Sequence, residues 1–255
     1  MSKKEFANRD MTRFGEEKVS TYIPGWQKAV QKYGARASIE DLKEVIASLR
    51  RLRRKYVFEG ECCSYPLHEA AKNGAVKLMD IILNTSYDLN AKKDYCGWTA
   101  LHEACHCGRS ETVKLMINSS KDLGIDLNAR DDIGRTPFHF ACKSAFIERM
   151  ETVELMIKSS KDFSIDLNAK DIVKTPLHSA CEDANLVVVE LMVKNWKEFC
   201  IDIKAQNSGG YTPLDITNFR LKNPWNKRLK LKRLKQIKKM LENEYSKMDD
   251  AEQSD

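Results

Sequence analysis

The sequence predicts an all-α fold, a solenoid of stacked helix-turn-helix units with hairpin loops between the units and a helical cap at each end. A short motif recurs at intervals of 34, 37, 39 and 37 residues between its third positions, and such a period is typical of repeat arrays. Apolar residues with helical spacing follow each of the first four copies. The copies are Pro66-Leu67-His68, Ala100-Leu101-His102, Pro137-Phe138-His139, Pro176-Leu177-His178 and Pro213-Leu214-Asp215.

The motif begins with the signals of a helix N-terminus. A threonine precedes four of the five copies, and a threonine N-cap stabilises a helix by about 1 kcal/mol over alanine because its oxygen accepts a backbone N–H. Proline at the next position suits the first helical turn. Gly74 and Gly108 stand where the first two short helices should end. The predicted N-caps are Thr99, Thr136, Thr175 and Thr212.

A second apolar helix is predicted after each of the first four short helices, starting in the first unit with Leu78, Met79, Ile81 and Ile82. One helix pair cannot bury both of its faces, so stacked pairs complete a continuous core. One position of the first four short helices always holds a small residue. We interpret it as a buried packing slot and not as part of a disulfide framework. Its occupants are Ala71, Cys105, Cys142 and Cys181.

Polar turn segments separate the helix pairs and begin with a recurring Asp-Leu-Asn-Ala block at Asp88, Asp126 and Asp166, changed to Asp-Ile-Lys-Ala at Asp202. The pattern from Thr-Pro-Leu-His-x-Ala-Ala through Asp-Leu-Asn-Ala resembles the ankyrin repeat over roughly residues 64–219. The resemblance implies an ankyrin-repeat solenoid with a concave face made of loops and first helices. It also implies that the repeat histidine hydrogen-bonds the backbone of the neighbouring loop.

The period also divides the chain into predicted segments. Residues 1–60 are expected to form an N-terminal helical extension or cap, and residues 61–219 the repeat domain. A basic capping helix at residues 220–245 and a disordered acidic tail at residues 246–255 complete the chain. The repeats are placed at about 61–93, 94–130, 131–170 and 171–206, with a partial unit at 207–219.

Units two to four carry four extra residues before the Asp block, which should lengthen the second helix or its exit. The third unit lacks the glycine of its inter-helix turn and gains three residues, which predicts a longer loop near residues 144–150. The aligned apolar residues of the extra stretches, expected to stack as a ladder, are Leu123, Phe163 and Phe199, then Ile125, Ile165 and Ile201.

Both flanking segments are interpreted as caps with solvated basic sides. The N-terminal one has a capping box at residues 38–41 and an apolar stripe over residues 42–52. The C-terminal one has a stripe of Leu231, Leu234, Ile237 and Leu241 with Trp225 as an anchor. Its alternatives are an import signal, or docking to nucleic acid, an anionic membrane or an acidic or calmodulin-like partner. The docking residues would be Lys227, Arg228, Lys230, Lys232, Arg233 and Lys235.

One string, His102-Glu103-Ala104-Cys105-His106, fits the H-E-x-x-H motif of zinc metalloproteases. The repeat accounts for it, since His68-Glu69 begins in the same way without a second histidine. Cys105, His106 and Cys107 lack the spacing of a zinc site. We therefore expect no catalytic residues, no metal and no cofactor.

The asparagine of the Asp-Leu-Asn block has two interpretations. The family resemblance implies a substrate for an oxygen-dependent asparaginyl hydroxylase, at Asn90, Asn128 and Asn168. The favoured interpretation is structural, with the asparagine side chain fixing the loop.

The predicted function is a non-catalytic scaffold or adaptor that binds a protein partner through the concave face and the hairpin loops. Exposed aromatic residues on such a scaffold are expected hot spots, although Trp98 and Tyr211 could instead pack between hairpins. We expect a monomer in the cytoplasm or nucleus, since the chain has no apolar run near the ~20 residues of a membrane span and no hydrophobic signal segment. The candidate binding residues are Trp98, Asp132, Ile133, Arg135, Lys143, Ile172, Val173, Lys174, Glu182 and Tyr211.

Overall fold

The computed structural model describes residues 66–84, 88–93, 96–143, 149–223 and 228–252. Within these ranges the chain is all-α, with ten helices and no strand, so the predicted fold class is confirmed and the hairpin loops form as turns. None of the helices in these ranges is long and apolar enough to cross a membrane. The predicted N-terminal cap lies outside the described residues, as do Trp225 and Lys227.

Contacts divide the chain into two compact units, Met1–Asp126 and Leu127–Asp255. The first unit contains two helix pairs among its described residues. The first helices of the pairs, α1 and α3, pack on each other, and the second helices, α2 and α4, do the same, so that the unit has two layers. The helices are α1 (Pro66–Asn73), α2 (Val76–Leu83), α3 (Ala100–His106) and α4 (Ser110–Leu123).

The second unit repeats this arrangement with three pairs. Helices α5, α7 and α9 form one layer, and α6, α8 and α10 form the other. Because α10 packs on both α8 and α9, it completes the fifth helix pair that the sequence predicted only in part. The helices are α5 (Pro137–Cys142), α6 (Met150–Phe163), α7 (Pro176–Glu182), α8 (Leu186–Lys194), α9 (Pro213–Leu221) and α10 (Arg228–Glu252).

The connections between the helices of a pair differ in length among the repeats. Two residues, 74 and 75, separate α1 from α2, whereas residues 143–149 separate α5 from α6. The longer loop predicted there falls largely on residues 144–148, which lie outside the described residues. Gly74 adopts a left-handed conformation with φ 67°, and Ala184 takes the same role in the fourth unit with φ 56°. The fourth turn therefore keeps its geometry without glycine.

The small slot of the short helices is confirmed, because Ala71, Cys105, Cys142 and Cys181 are all completely buried. Burial raises the pKa of the Cys181 thiol to about 12, since the interior disfavours the thiolate. These cysteines are packing residues.

The predicted apolar ladder is correct for one of its two sets. Ile125, Ile165 and Ile201 are buried, but Leu123 is 42% exposed and the two aligned phenylalanines are only half-buried. Leu123 and Phe163 are the last residues of α4 and α6, whereas the isoleucines follow the left-handed residues at these helix ends, with the N–H of Ile125 bonded back to the Ser120 carbonyl (3.2 Å).

The predicted disordered tail is wrong for residues 246–252, which continue α10, and this helix begins at Arg228 rather than near residue 220. Leu234, Ile237 and Leu241 of the predicted stripe are completely buried, whereas Leu231 is only half-buried. Polar contacts then hold the last turns. They are Trp196 Nε1–H to Glu244 Oε2 (3.1 Å), Tyr245 O–H to the Ile203 carbonyl (2.6 Å), and the Lys204–Asp249 ion pair.

Candidate functional site

Each hairpin loop is tied to the start of the following short helix by a capping pair. The backbone N–H of Thr99 donates to Nδ1 of His102 (3.1 Å), and the N–H of Thr136 donates to Nδ1 of His139 (3.1 Å). Since Nδ1 accepts a hydrogen bond, the ring proton lies on Nε2 in this arrangement. In the fifth unit Asp215 replaces the histidine and accepts the N–H of Thr212 (2.9 Å). The four threonine N-caps are confirmed.

The Nε2 side of the histidine reaches the next hairpin. The Nε2–H of His68 donates to the Trp98 carbonyl (2.8 Å), and the Nε2–H of His178 donates to the Tyr211 carbonyl (2.8 Å). His139 makes the same bond to the Lys174 carbonyl at 3.3 Å. Burial lowers the pKa of these three histidines, because an imidazolium would lose its hydration. They are neutral structural residues that join successive hairpins.

The side chains of the H-E-x-x-H string also make structural contacts. His102 caps its helix through Nδ1, Glu103 pairs with Lys93 (2.5 Å), and the His106 ring lies 5.2 Å from the Trp98 ring. Across the described ranges, no three His, Cys, Asp or Glu side chains are grouped as a metal site would require. The arrangement offers packing and hydrogen bonds but not the ligand set of a zinc centre.

The hairpins of the second compact unit, Leu127–Asp255, share one turn motif. An Asx oxygen at the start of each hairpin accepts two backbone N–H groups further along, which fixes the loop from its own side chain. The bonds are Asp131 Oδ1 with Ile133 (3.1 Å) and Arg135 (2.8 Å), Asp171 Oδ1 with Val173 and Lys174 (both 2.7 Å), and Asn207 Oδ1 with Gly209 (2.9 Å) and Tyr211 (3.0 Å).

Neighbouring tips are also joined by their backbones, through Ile172 N–H to the Ile133 carbonyl (3.1 Å) and Ser208 N–H to the Val173 carbonyl (2.8 Å). Large apolar side chains remain in solvent along this row: Ile133 is 41%, Ile172 68%, Val173 45% and Tyr211 59% exposed. We call Ile133, Ile172, Val173 and Tyr211 the hairpin edge. It is a rigid row of exposed apolar side chains on three consecutive loops.

The other candidate binding residues divide into two groups. Asp132 and Lys143 are exposed, as a contact surface requires. Several others already contact the repeats themselves. Arg135 pairs with Asp131 (2.7 Å) and lies over the Phe140 ring, and Lys174 pairs with Glu182. The half-buried ring of Trp98 contacts the His106 ring of its own repeat at a tilt of 57°.

The asparagines of the Asp-Leu-Asn block join successive repeats. The amide of Asn90 donates to the Gly124 carbonyl and accepts from the Asp126 N–H, both at 2.8 Å. Asn128 makes the equivalent pair with Ser164 and Asp166, and Asn168 with Cys200 and Asp202. The carbonyl partners are left-handed residues that the sequence interpretation overlooked, although Gly124 is a signal for them. Hydroxylation at these asparagines stays a prediction.

The basic residues of α10 differ in exposure. Arg228, Lys232 and Lys235 are exposed, whereas Lys230 and Arg233 are half-buried. The docking set predicted from the sequence is therefore spread around the helix.

Comparison with known proteins agrees with this geometry. Residues 67–171 match the model of ankyrin repeats (3 copies). The chain is 33% identical over 75 residues to Protein phosphatase 1 regulatory subunit 12A of Mus musculus, which covers 29% of this chain and 7% of that protein. It is 29% identical over 154 residues to Ankyrin repeat and SOCS box protein 3 of Bos taurus, covering 47% of this chain and 28% of the relative.

A plant relative is similar over a segment of comparable length to the first. E3 ubiquitin-protein ligase XBAT33 of Arabidopsis thaliana is 38% identical over 77 residues, which is 30% of this chain and 14% of that protein. The chain thus spans less than a third of the length of each of these relatives. Residues 67–171 of this chain are accordingly a segment of ankyrin repeats.

Proposed function

We propose that this chain is a non-catalytic scaffold or adaptor that binds a protein partner through the hairpin edge and the adjoining concave face. Ankyrin repeats are typically non-enzymatic protein-interaction modules, and the identity of the partner is the open part of the proposal. The observation that carries the proposal is the exposure of Ile133, Ile172, Val173 and Tyr211 on loops that are held by their own turns.

Exposure of this kind favours binding for two reasons. Contiguous apolar side chains on a soluble surface mark interaction sites, because burying them removes apolar area from water. The cross-hairpin bonds also order the row in advance, so that little conformational entropy is lost when a partner binds. Tyr211 is the strongest single candidate, since it combines an aromatic ring with 59% exposure.

Polar neighbours would supply specificity around this apolar row. Asp132 and Lys143 are exposed with opposite charges, and the partner should present the complementary charges. Arg135, Lys174 and Glu182 contribute by holding the hairpins, because each is already in an ion pair. A monomer in the cytosol or nucleus is part of the same proposal.

The test is affinity purification of the tagged chain from a cell lysate, with copurified proteins quantified by mass spectrometry. The variant Ile172→Ser with Tyr211→Ser should lose its specific partners. A matched control, Leu123→Ser with Val187→Ser, removes two apolar side chains that are 42% and 43% exposed away from the hairpins and should keep them. Thermal unfolding of both variants checks that they are folded. An unchanged partner set in the first variant, or an equal loss in the control, would refute the proposal.

A further inference from the structure

We propose that α10 carries a second binding site, separate from the hairpin edge, which takes an acidic helical segment of a protein partner. The site is the basic stripe, defined as Arg228, Lys232, Lys235 and Lys239. All four side chains are exposed. The stripe uses a different surface and a different kind of chemistry from the apolar edge.

The four cations share one line along the helix. Their spacing of i, i+4, i+7 and i+11 returns to the same face at every turn, and at 1.5 Å per residue the line is about 16 Å long. Among the described residues, no carboxylate lies within ion-pair distance of them, whereas the neighbouring Lys238 pairs with Glu242 at 3.5 Å. The stripe therefore presents four positive charges that the described part of the repeat domain does not neutralise.

The stripe is held in place by the opposite side of the same helix. Leu234, Ile237 and Leu241 are completely buried, and α10 packs on α8 and α9. A partner would therefore meet charges that are already aligned, without first ordering a flexible tail. Such a rigid row distinguishes this surface from an unstructured basic segment.

An apolar position accompanies the charges. Leu229 is 63% exposed, and the side chains of Arg228, Leu229, Leu231, Lys232 and Lys235 line one depression of the surface. A ligand with carboxylates alone would leave this leucine in water. The better match is an amphipathic segment that has a row of acidic residues and at least one apolar side chain beside it.

The charge of α10 reverses after the stripe, and this limits the length of the ligand. Glu242, Asp249 and Asp250 are exposed on the last three turns. A nucleic acid strand or an anionic bilayer lying along the helix would meet these carboxylates beyond the stripe, where Glu242 and Asp249 are in ion pairs and the next lysine of the helix, Lys247, is paired with Glu244. The aromatic residue of α10, Tyr245, is half-buried and donates its hydroxyl to a carbonyl, so it gives no stacking surface for bases. A short acidic helix with carboxylates at the same spacing fits the stripe and stops before the reversal.

A synthetic peptide provides the probe. It has about 15 residues, enough for helix formation with good helix formers, with glutamates at i, i+4, i+7 and i+11, one flanking leucine and a fluorescent label. Fluorescence anisotropy at about 0.15 M salt measures its affinity for the full chain. The variant Lys232→Glu with Lys235→Glu should weaken binding by about tenfold or more, because two attractive contacts become repulsive. Leu229→Ser should weaken it by about threefold.

The matched control is Lys92→Glu with Lys114→Glu, which changes the net charge equally at exposed positions of the first unit. It should change the affinity less than about twofold, since it alters the net charge of the chain but no residue of the stripe. The Ile172→Ser, Tyr211→Ser variant should bind the peptide normally, so this site and the hairpin edge can fail independently.

Several results would overturn the assignment. One is an equal loss of affinity in the control, which would mean that net charge alone drives binding. Another is undiminished binding of a peptide with the same composition and a scrambled order. A third is tighter binding of a single-stranded oligonucleotide or of phosphatidylserine vesicles with the same dependence on Lys232 and Lys235, which would reassign the stripe to phosphate recognition.

Discussion

Exchanging glycine and serine at the ends of two equivalent helices tests how the repeats terminate. Gly124 ends α4 with φ 66° and ψ 31°, and Ser164 ends α6 with φ 53° and ψ 40°, so both are left-handed. We expect Ser164→Gly to raise the free energy of unfolding by about 0.5–1 kcal/mol and Gly124→Ser to lower it by a similar amount.

The magnitude follows from two opposing terms. A non-glycine residue in the left-handed region is strained by about 1–2 kcal/mol, which glycine avoids. Glycine also lowers the stability by about 0.4–1 kcal/mol, because it increases the conformational entropy of the unfolded chain. Packing adds nothing, since Ser164 is exposed and a Cβ at residue 124 would meet no atom within 4 Å. The Ser164 carbonyl keeps its bond to Asn128 in either variant.

Urea unfolding followed by circular dichroism measures the change. The control is Ser159→Gly, the same substitution inside α6, which should destabilise the protein by about 0.5 kcal/mol because glycine is a poor helix former. The reasoning is refuted if Ser164→Gly is neutral or behaves like Ser159→Gly, or if Gly124→Ser has no effect.

Three further perturbations address the contacts between repeats. Asn128→Ala removes a donor and an acceptor and should lower the urea midpoint, with a loss of about 1–2 kcal/mol; an unchanged midpoint would mean that water replaces both bonds. Burial lowers the pKa of His178, so protonation of the unfolded chain below about pH 6.5 should reduce stability as the pH falls. His178→Gln, which can keep the capping bond without titrating, should lose less between about pH 7.5 and 5.5, and an identical loss contradicts this reasoning. Ile237→Ala, at a completely buried position, should cost about 2–5 kcal/mol in thermal and urea unfolding, whereas exposed Gln236→Ala should be nearly neutral; similar effects of the two would show that α10 is not docked.

Much of the fold could be predicted because its signals are local. Thr136 caps its helix through a histidine three residues away, and the small buried slot repeats at the same place in the first four short helices. The period relates each unit to the next, so one interpretation applies to all of them. Even the longer separation between α5 and α6 was visible as three extra residues.

The errors arose where a residue's surroundings depend on a distant element. Leu123 aligns with two phenylalanines, yet it is 42% exposed at the end of α4, while Ile125 two residues later is buried. Residues 246–252 have an acidic, tail-like composition, yet they are helical, and Asp249 pairs with Lys204 of the preceding repeat. Composition alone carries no information on such contacts.

The candidate sites show the same division. Periodicity identified Ile172 and Lys174 alike as positions that the repeat leaves variable, but Lys174 pairs with Glu182 while Ile172 is 68% exposed. Similarly, the sequence did not distinguish among the basic residues before residue 240. The burial of Ile237 shows which face of α10 is packed, and therefore which basic residues are exposed.

By itself, the sequence determined the helix pairs, their caps and the turns between them, because hydrogen bonds and apolar spacings within a few residues specify these features. The tertiary structure decided which variable residues and which face of α10 are exposed to solvent. Exposure is set by neighbours that are as far apart in the chain as Trp196 and Glu244. Repeated residues build the scaffold through local contacts, whereas the surface left for partners is defined only after the repeats have packed.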